Sequence, residues 1–379
     1  MNIERAECQD DEKVSIRVIS EPSSIFQMER VWNSLVKRSS ENPFLLSGFV
    51  EQFIESNGFK GWAPLIIVIS ADNRIIGIAP LMAKKKFGVQ CVRFLHSHWF
   101  SPDFIFQDQY RETCMAGTLD FLFRILKCKF AILSLPEDSQ NFRVLRQLSR
   151  LNKIHFCTQP IMGHCVLPRN STWTEFERFR GKISYFKKIE RKLDRAGSWK
   201  IECADGNDES DTVKKIFDVE RTSWKESWRI QKGIKIDGDL LTVLKASQHT
   251  AKIEPSFKWN VWFLELNNQT LAYNIILQYK KVAFMTKMSY DSRYKRYYPG
   301  MHLANSVIRE LFKKEQVESI DFLTELPFMR NWTSISLKRT RAMLSKGIIP
   351  NIAQSVLEKT CPIKSPHLLF DQLPFHSAM

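Results

Sequence analysis

Three consecutive strand-like segments, followed by a helix and a fourth strand, constrain the fold of this chain more than any other feature. The three segments are NVWFLELN (260–267), LAYNIILQY (271–279) and VAFMTKMSY (282–290). Each is rich in β-branched and aromatic residues, and the turn chemistry at Asn267 and Asn268 predicts a hairpin between the first two. The apolar residues Leu303, Val307 and Leu311 then follow the spacing of one helical face. With the buried strand ESIDFLT (318–324), the predicted order is β-β-β-α-β.

The first half of the chain repeats this plan without visible sequence likeness. Its predicted strands are APLIIVIS (63–70), RIIGIAPLMA (74–83), CVRFLH (91–96), DFIFQ (103–107) and KFAILSL (129–135), with a helix at 112–128 before the last. We therefore predict an α/β (α+β) fold with two similar domains, each a mixed, mostly antiparallel sheet flanked by helices. The predicted limits are 1–165, 166–346 and a C-terminal tail at 347–379.

The charge balance favours anionic partners. The chain carries 56 Lys and Arg against 41 Asp and Glu, a formal net charge of +15. A nucleic acid, a phosphorylated cofactor or an acidic membrane surface would suit this excess, and solubility alone is the competing interpretation.

The remaining composition predicts a cytoplasmic protein. Its longest apolar run falls short of the roughly 18–20 residues of a membrane span, and its polar, acidic N-terminus is unlike a signal peptide. The eight cysteines form no CxxC pair, which favours reduced thiols. Two Cys/His groupings, around Cys91 and Cys157, match no zinc-finger spacing, so no metal site is predicted.

The start of the predicted helix near residue 300 has the chemistry of an anion site. Only 14 of the 379 residues are glycine, yet one of them, Gly300, directly follows Pro299. The first turn of a helix leaves backbone N–H groups unpaired, and glycine lets a ligand approach them closely. We predict that the N–H groups from Gly300 to Leu303 bind a phosphate or pyrophosphate, with nearby Arg293, Lys295 and Arg296 neutralising its charge. The alternative is an ordinary turn with proline at the first helical position.

A basic helix is predicted at 182–197, KISYFKKIERKLDRAG. Phe186, Ile189 and Leu193 are spaced for one buried face, and Gly197 is placed as a C-cap. The opposite face carries five cations, Lys187, Lys188, Arg191, Lys192 and Arg195. This face is either simply solvated or an anion-binding stripe.

These segments resemble the GNAT acyl-CoA transferases, and more closely the CelD/BcsL-type acetyltransferases linked to cellulose biosynthesis. The resemblance lies in MSYDSRYKRYYPGMHLANSVIREL with the later IDFL, in the basic helix, in ERTSWKESW (220–228) and in GIAPLMAKKK. It covers about residues 40–335 in order. It implies tandem GNAT domains, as in the related Fem-type peptidyltransferases, with the acyl donor in the second domain and a degenerate first domain.

One stretch departs from that family. After the last strand the family usually has Gly-acidic-x-x-Tyr-Lys-x-x-Trp, whereas this chain has TELPFMRNW (324–332). Phe328 and Met329 replace the tyrosine and the lysine, while Glu325, Arg330 and Trp332 remain. The expected acceptor side therefore lacks a hydroxyl and an ammonium.

The resemblance and the chemistry of acyl transfer together give the candidate site residues. A backbone N–H near Lys287–Ser289 would polarise the thioester carbonyl, and an amine acceptor needs a base. The predicted donor-binding residues are Lys287, Met288, Ser289, Arg293, Arg296, Gly300, Met301, His302 and Leu303. The predicted bases are Asp321, Glu325 and Asp291, and Tyr297 is a candidate acid for the leaving thiolate, with Tyr290 and Tyr298 as alternatives. The predicted acceptor-binding residues are Trp224, Lys225, Arg330 and Trp332.

Several of these residues also have a purely structural interpretation. Asp291 could cap the turn beside it, the tyrosines could be packing residues, and Trp224 with Trp228 could be core. No Cys/His or Ser/His arrangement suggests a covalent acyl-enzyme, so direct attack is predicted.

We predict an N-acyltransferase that uses acetyl-CoA or another acyl-CoA and acylates an amine of a sugar, small molecule or peptide. One alternative is a Fem-like transferase that takes an aminoacyl group from tRNA held by the helix at 182–197. Another is a non-catalytic scaffold or nucleic-acid-binding protein. The sequence leaves the oligomeric state open.

Overall fold

A computed structural model describes residues 2–4, 13–56, 61–86, 88–95, 101–207, 209–223, 225 and 238–347. The strands are β1 Asn2–Glu4, β2 Val14–Ile19, β3 Ala63–Ala71, β4 Arg74–Lys86, β5 Val89–Phe94, β6 Ile105–Phe106, β7 Phe130–Pro136, β8 His155–Pro168, β9 Trp199–Asp205, β10 Phe257–Leu266, β11 Gln269–Tyr279, β12 Val282–Tyr290, β13 Ser319–Asp321 and β14 Ser336–Ser345. The helices are α1 Pro22–Phe26, α2 Glu29–Ser39, α3 Ser47–Ser56, α4 Arg111–Asp120, α5 Gln140–Leu151, α6 Trp173–Arg180, α7 Ile183–Ala196, α8 Glu209–Arg221, α9 Gly238–Ile253 and α10 Pro299–Phe312.

The chain divides into two compact units that are each discontinuous in sequence. The first unit comprises Met1–Ser39, Phe59–His164 and Leu337–Met379, and the second comprises Ser40–Gly58 and Cys165–Ser336. The boundary predicted at 165/166 falls beside the His164/Cys165 division. The prediction differs at two segments, because 40–58 groups with the second unit and β14 with the first. Both exchanges depend on contacts between residues far apart in sequence, which periodicity does not report.

The sheet of the first unit follows the order β1-β2-β3-β4-β5-β7-β14, with β6 also pairing to β4. All of these neighbours are antiparallel except β5 and β7, which are parallel. Helix α4 and its π-helical extension Phe121–Ile125 bury Met115, Leu119 and Leu122 against the sheet. This is the predicted β-β-β-α-β plan, with β5 and β7 as the parallel pair on either side of the helix.

The sheet of the second unit follows the order β8-β13-β12-β11-β10-β9. Only β12 and β13 are parallel, and the other neighbours are antiparallel. Asn267 and Asn268 turn the β10–β11 hairpin with φ values of 50° and 63°, the left-handed conformation that asparagine tolerates. Helix α10 buries Leu303, Val307 and Leu311 against the sheet, as their spacing predicted.

The basic helix is present as α7, and it is amphipathic as predicted. Phe186, Ile189 and Leu193 are buried, and the N–H of Gly197 caps the helix by donating to the Leu193 carbonyl at 3.1 Å. Four of the five cations on the opposite face are exposed, and Lys192 is half-buried.

In the part of the chain that the structure describes, no helix combines the length and the apolar content needed to cross a membrane.

Candidate active site

The parallel strands β12 and β13 open into a gap beside the second half of β12. They pair only at Val282–Ser319, Ala283–Ile320 and Phe284–Asp321. Beyond Phe284, no described strand pairs with β12 on this side, although β12 runs on to Tyr290. Just past its end, an isolated bridge joins Asp291 to Ser223, and the Ser292 N–H donates to the Thr222 carbonyl at 3.0 Å. We call Met285–Tyr290 on this side the open edge of β12.

The open edge presents backbone groups of Met288 and Tyr290. The Asp291 N–H donates to the Leu271 carbonyl at 2.8 Å, and the register pairs Ala272 with Tyr290. Because hydrogen-bonded and non-hydrogen-bonded pairs alternate in an antiparallel ladder, the N–H groups of Met288 and Tyr290 point away from β11. The strand end that the sequence analysis singled out, Lys287–Ser289, therefore lies beside the gap.

Helix α10 starts as predicted but offers fewer amides. Tyr298 is its N-cap in the left-handed conformation (φ 51°), and Pro299 is its first residue. The His302 N–H already donates to the Tyr298 carbonyl at 3.0 Å. Among the described residues no carbonyl accepts from the N–H of Gly300 or Met301. The predicted range Gly300–Leu303 thus narrows to these two amides, because helical bonding begins at His302.

Gly300 also sits directly against the open edge. A Cβ placed on Gly300 would lie 3.2 Å from Cδ1 of Tyr290. Its φ is outside the left-handed region, so the close packing against Tyr290, and not the backbone conformation, favours glycine here. The start of α10 therefore packs against the Tyr290 side chain at the end of β12.

Cations from two segments lie near the start of α10. Lys192 of α7 lies 4.9 Å from the Tyr298 ring centre and 3.4 Å from the Arg296 carbonyl oxygen. Arg296 packs over the Tyr297 ring at 4.7 Å, and Arg293 is bound to Asp291. The basic face of α7 thus reaches the predicted anion loop, a contact that sequence spacing could not show.

Asp291 is engaged in the turn and is disfavoured as a base. It is 2% exposed, it accepts from the Arg293 N–H at 3.0 Å, and it holds the Arg293 guanidinium through Nε at 3.0 Å. Burial alone would raise the pKa of Asp291, but these Arg293 contacts outweigh it and lower the pKa. The capping interpretation of Asp291 describes its contacts.

Asp321 is the last residue of β13, opposite Phe284, and Glu325 follows four residues later. Burial, together with the charges of Glu325 and Asp321, raises the pKa of the Cys165 thiol to about 11, although Arg330 acts in the opposite direction. This places both carboxylates around Cys165. Asp321 is buried and accepts from the Leu323 N–H at 2.7 Å, whereas Glu325 is half-buried. Tyr297, the candidate acid, contacts Tyr294 with ring centres 6.3 Å apart.

The predicted acceptor residues divide into different environments. Trp332 is only 3% exposed, stacks on Phe322 and donates through Nε1 to Asn305 at 3.3 Å. It is therefore a core residue, and its assignment to the acceptor site is corrected, because no acceptor can reach a buried ring. Arg330 is exposed. Trp224, like Trp228, lies outside the described residues.

Lys225 lies at the open edge, held by partners that the sequence analysis missed. Its Nζ donates to the Met288 carbonyl at 2.7 Å and to Oε1 of Glu220 at 3.1 Å. The Tyr273 hydroxyl donates to the same Glu220 oxygen at 2.6 Å. One signal existed, since Glu220 falls on the buried face of α8 four residues after Ile216.

His302 is a buried imidazole in the first turn of α10. It is 1% exposed, it packs edge-on against Trp199, and neither ring nitrogen has a partner within the described residues. Burial lowers the pKa of His302 from its ordinary 6.5 to about 4, and Arg309 contributes in the same direction. A ligand cannot reach this buried side chain, so the imidazole serves in packing beneath the loop.

Acid is expected to destabilise the second unit through His302. The folded state favours the neutral ring of His302, so the contribution of this ring to stability is complete above pH 6.5. That contribution is lost as the pH falls towards 4, and the total loss is about 3 kcal/mol. Urea unfolding at several pH values, compared between wild type and His302→Met, measures this. A difference between the two proteins that stays constant with pH would contradict the expectation.

The helix start of the first unit lacks the features of an anion site. Helix α4 begins at Arg111 with neither proline nor glycine, and its first turn carries Glu112. Asp108 precedes it and pairs with Arg111. Acidic groups at this end repel anions, so the donor site is sought in the second unit.

Comparison with known proteins gives a family match within the second unit. Residues 180–327 match the model of a family described as the Acetyltransferase (GNAT) domain. No curated protein matches the sequence.

Solved structures resemble the whole described architecture at very low identity. The structure titled FemX is 11% identical with a TM-score of 0.56, covering 87% of this chain and 98% of that one. L-PGS from Bacillus licheniformis is 7% identical (TM-score 0.54), covering 90% and 96%. The C-terminal domain of a proposed lysylphosphatidylglycerol synthetase from Agrobacterium fabrum is 11% identical (TM-score 0.53), covering 89% and 96%. At these identities the likeness concerns the fold alone, and with the family match it confirms the predicted fold class.

Proposed function

We propose that the protein is an acyl-CoA-dependent N-acyltransferase whose donor binds along the open edge of β12 and at the start of α10. The observation that carries this proposal is that the amides of Gly300 and Met301, which no described carbonyl pairs, begin a helix that packs against Tyr290 at the end of β12. The match of residues 180–327 to an acetyltransferase domain supports it. The finer resemblance to the CelD/BcsL-type enzymes remains part of this proposal.

The pyrophosphate would bind at the helix start. Two backbone N–H groups and the positive end of the helix dipole favour a doubly charged anion there. Lys192 and Arg296 lie beside the same loop and add positive charge there. Arg293 contributes a guanidinium that is 63% exposed although it also binds Asp291.

The acyl arm would then extend along the open edge. Pantetheine amides can pair with a strand edge in the manner of an added strand. The thioester carbonyl would accept a hydrogen bond from the N–H of Met288, which concentrates positive charge where the oxyanion develops.

Transfer would proceed by direct attack. The acceptor amine nitrogen bonds to the thioester carbon, the carbon–sulfur bond breaks, and the thiolate of CoA leaves. The proton lost by the amine passes to a carboxylate at the end of β13, with half-buried Glu325 better placed for exchange with solvent than Asp321. Tyr297 is kept as the candidate proton donor to the thiolate.

A second candidate is a transferase that takes an aminoacyl group from tRNA. The observation that favours it is the exposed basic face of α7, whose density of cations suits a polyphosphate backbone. In that case the donor contacts would spread along α7, and affinity would fall steeply with salt.

Isothermal titration with CoA and, separately, with a tRNA mixture tests the proposal. We expect micromolar binding of CoA that competes with acetyl-CoA. Binding of tRNA without binding of CoA would overturn the proposal in favour of the second candidate. Binding of neither would leave a non-catalytic protein with this fold.

A further inference from the structure

A buried charge pair, Glu220 with Lys225, lies against the open edge of β12. Glu220 is 2% exposed and Tyr273 is 1% exposed, whereas the Lys225 side chain is 25% exposed. The carboxylate and the phenol are thus buried within the second unit, and the Lys225 side chain is the most exposed of the three.

Short hydrogen bonds fix the positions of Glu220 and Lys225. Glu220 Oε1 accepts from Lys225 Nζ at 3.1 Å and from the Tyr273 hydroxyl at 2.6 Å. Lys225 Nζ also donates to the Met288 carbonyl at 2.7 Å. A lysine bound to two fixed acceptors loses little further entropy on meeting a ligand, which makes it a preorganised cation.

The position of Met288 relates the Lys225 ammonium to the proposed site of the thioester carbonyl. The N–H and C=O of one strand residue project from the same edge, so the Lys225 ammonium lies on the same side of β12 as the Met288 N–H. A thioester carbonyl that accepts from this N–H would lie within reach of the ammonium.

We infer that Lys225 is a donor-site residue that binds the thioester carbonyl together with the Met288 N–H, and that Glu220 and Tyr273 are its positioning residues. This inference rests on the proposed function. The ammonium strengthens polarisation of the carbonyl, because a charged donor binds a developing oxyanion more strongly than a neutral amide does. No proton needs to leave Lys225 for this role.

CoA and acetyl-CoA differ only by the acetyl group, so their affinities isolate this contact. The quantity measured is the ratio of the dissociation constant of CoA to that of acetyl-CoA, by isothermal titration of one protein preparation. Because both constants come from the same preparation, a partly unfolded variant shifts both and leaves the ratio unchanged.

Lys225→Met is expected to lower this ratio about tenfold, because it removes the charged donor but keeps the chain length. Lys225→Arg, which keeps the charge, should recover most of the wild-type ratio. Glu220→Gln should lower it less than Lys225→Met, because Lys225 remains but is held less firmly.

An unchanged ratio in Lys225→Met overturns the inference, because it means that the ammonium does not contact the acyl carbonyl. If CoA and acetyl-CoA are weakened equally in that variant, the ratio is likewise unchanged and Lys225 has a structural role only. Failure of the wild-type protein to bind either ligand is a different result, and it overturns the proposed function together with this inference.

Discussion

Replacing Gly300 with valine is expected to abolish CoA binding while leaving the second unit folded. A Cβ at this position would lie 3.2 Å from Cδ1 of Tyr290, on the residue that carries the first of the two unpaired amides. Since those amides are the proposed pyrophosphate contacts, the dissociation constant should rise by at least about 100-fold. Isothermal titration measures the affinity, and circular dichroism with thermal melting checks the fold.

Gly117 provides a matched control for this substitution. It also lies in a helix, and a Cβ there would meet Ile16 Cδ1 at the same distance of 3.2 Å. Gly117→Val therefore carries a similar steric cost in the first unit but should keep CoA affinity within about twofold. Unchanged affinity in Gly300→Val would remove the helix start from the proposed donor site.

Replacing Trp332 with alanine is expected to destabilise the second unit by about 3–5 kcal/mol, among the largest effects of any single truncation. The ring is 3% exposed, stacks on Phe322 at 6.1 Å and lies 6.5 Å from Phe186. Its removal also leaves Asn305 without one hydrogen-bond donor. Urea unfolding measures the loss in the free energy of unfolding. It is followed by far-UV circular dichroism, which reports on the backbone, because the variant lacks a tryptophan that fluorescence would detect.

Arg330 is the matched control from the same turn. It is exposed, and Arg330→Ala should change the free energy of unfolding by no more than about 0.5 kcal/mol. A Trp332→Ala variant of wild-type stability but altered acceptor dependence would restore Trp332 to the acceptor site.

Much of the fold follows from local patterns in the sequence. The β10–β11 hairpin was predicted from Asn267-Asn268, and α7 from the spacing of Phe186, Ile189 and Leu193. These elements are encoded within a few residues, where turn chemistry and periodicity act directly. The grouping of 40–58 with the second unit and of β14 with the first was not predicted, since it arises from contacts between distant segments.

The candidate site shows the same division. Pro299-Gly300 marked the helix start, because an N-terminal turn has a local signature. The number of available amides, the burial of Trp332 and the occupation of Asp291 by Arg293 did not follow from that signature. Each depends on which side chains fill the space around a given atom.

The sequence by itself determined the β-β-β-α-β order of 260–324, the excess of positive charge and the start of a helix at Pro299-Gly300. Only the tertiary structure decided that Lys192, Lys225 and Glu220 lie close to β12 and α10. The physical reason is the distance along the chain over which each kind of interaction acts. Backbone preferences act over one turn of helix or one hairpin, whereas a binding site is assembled from side chains that meet only when the sheet and its covering helices pack.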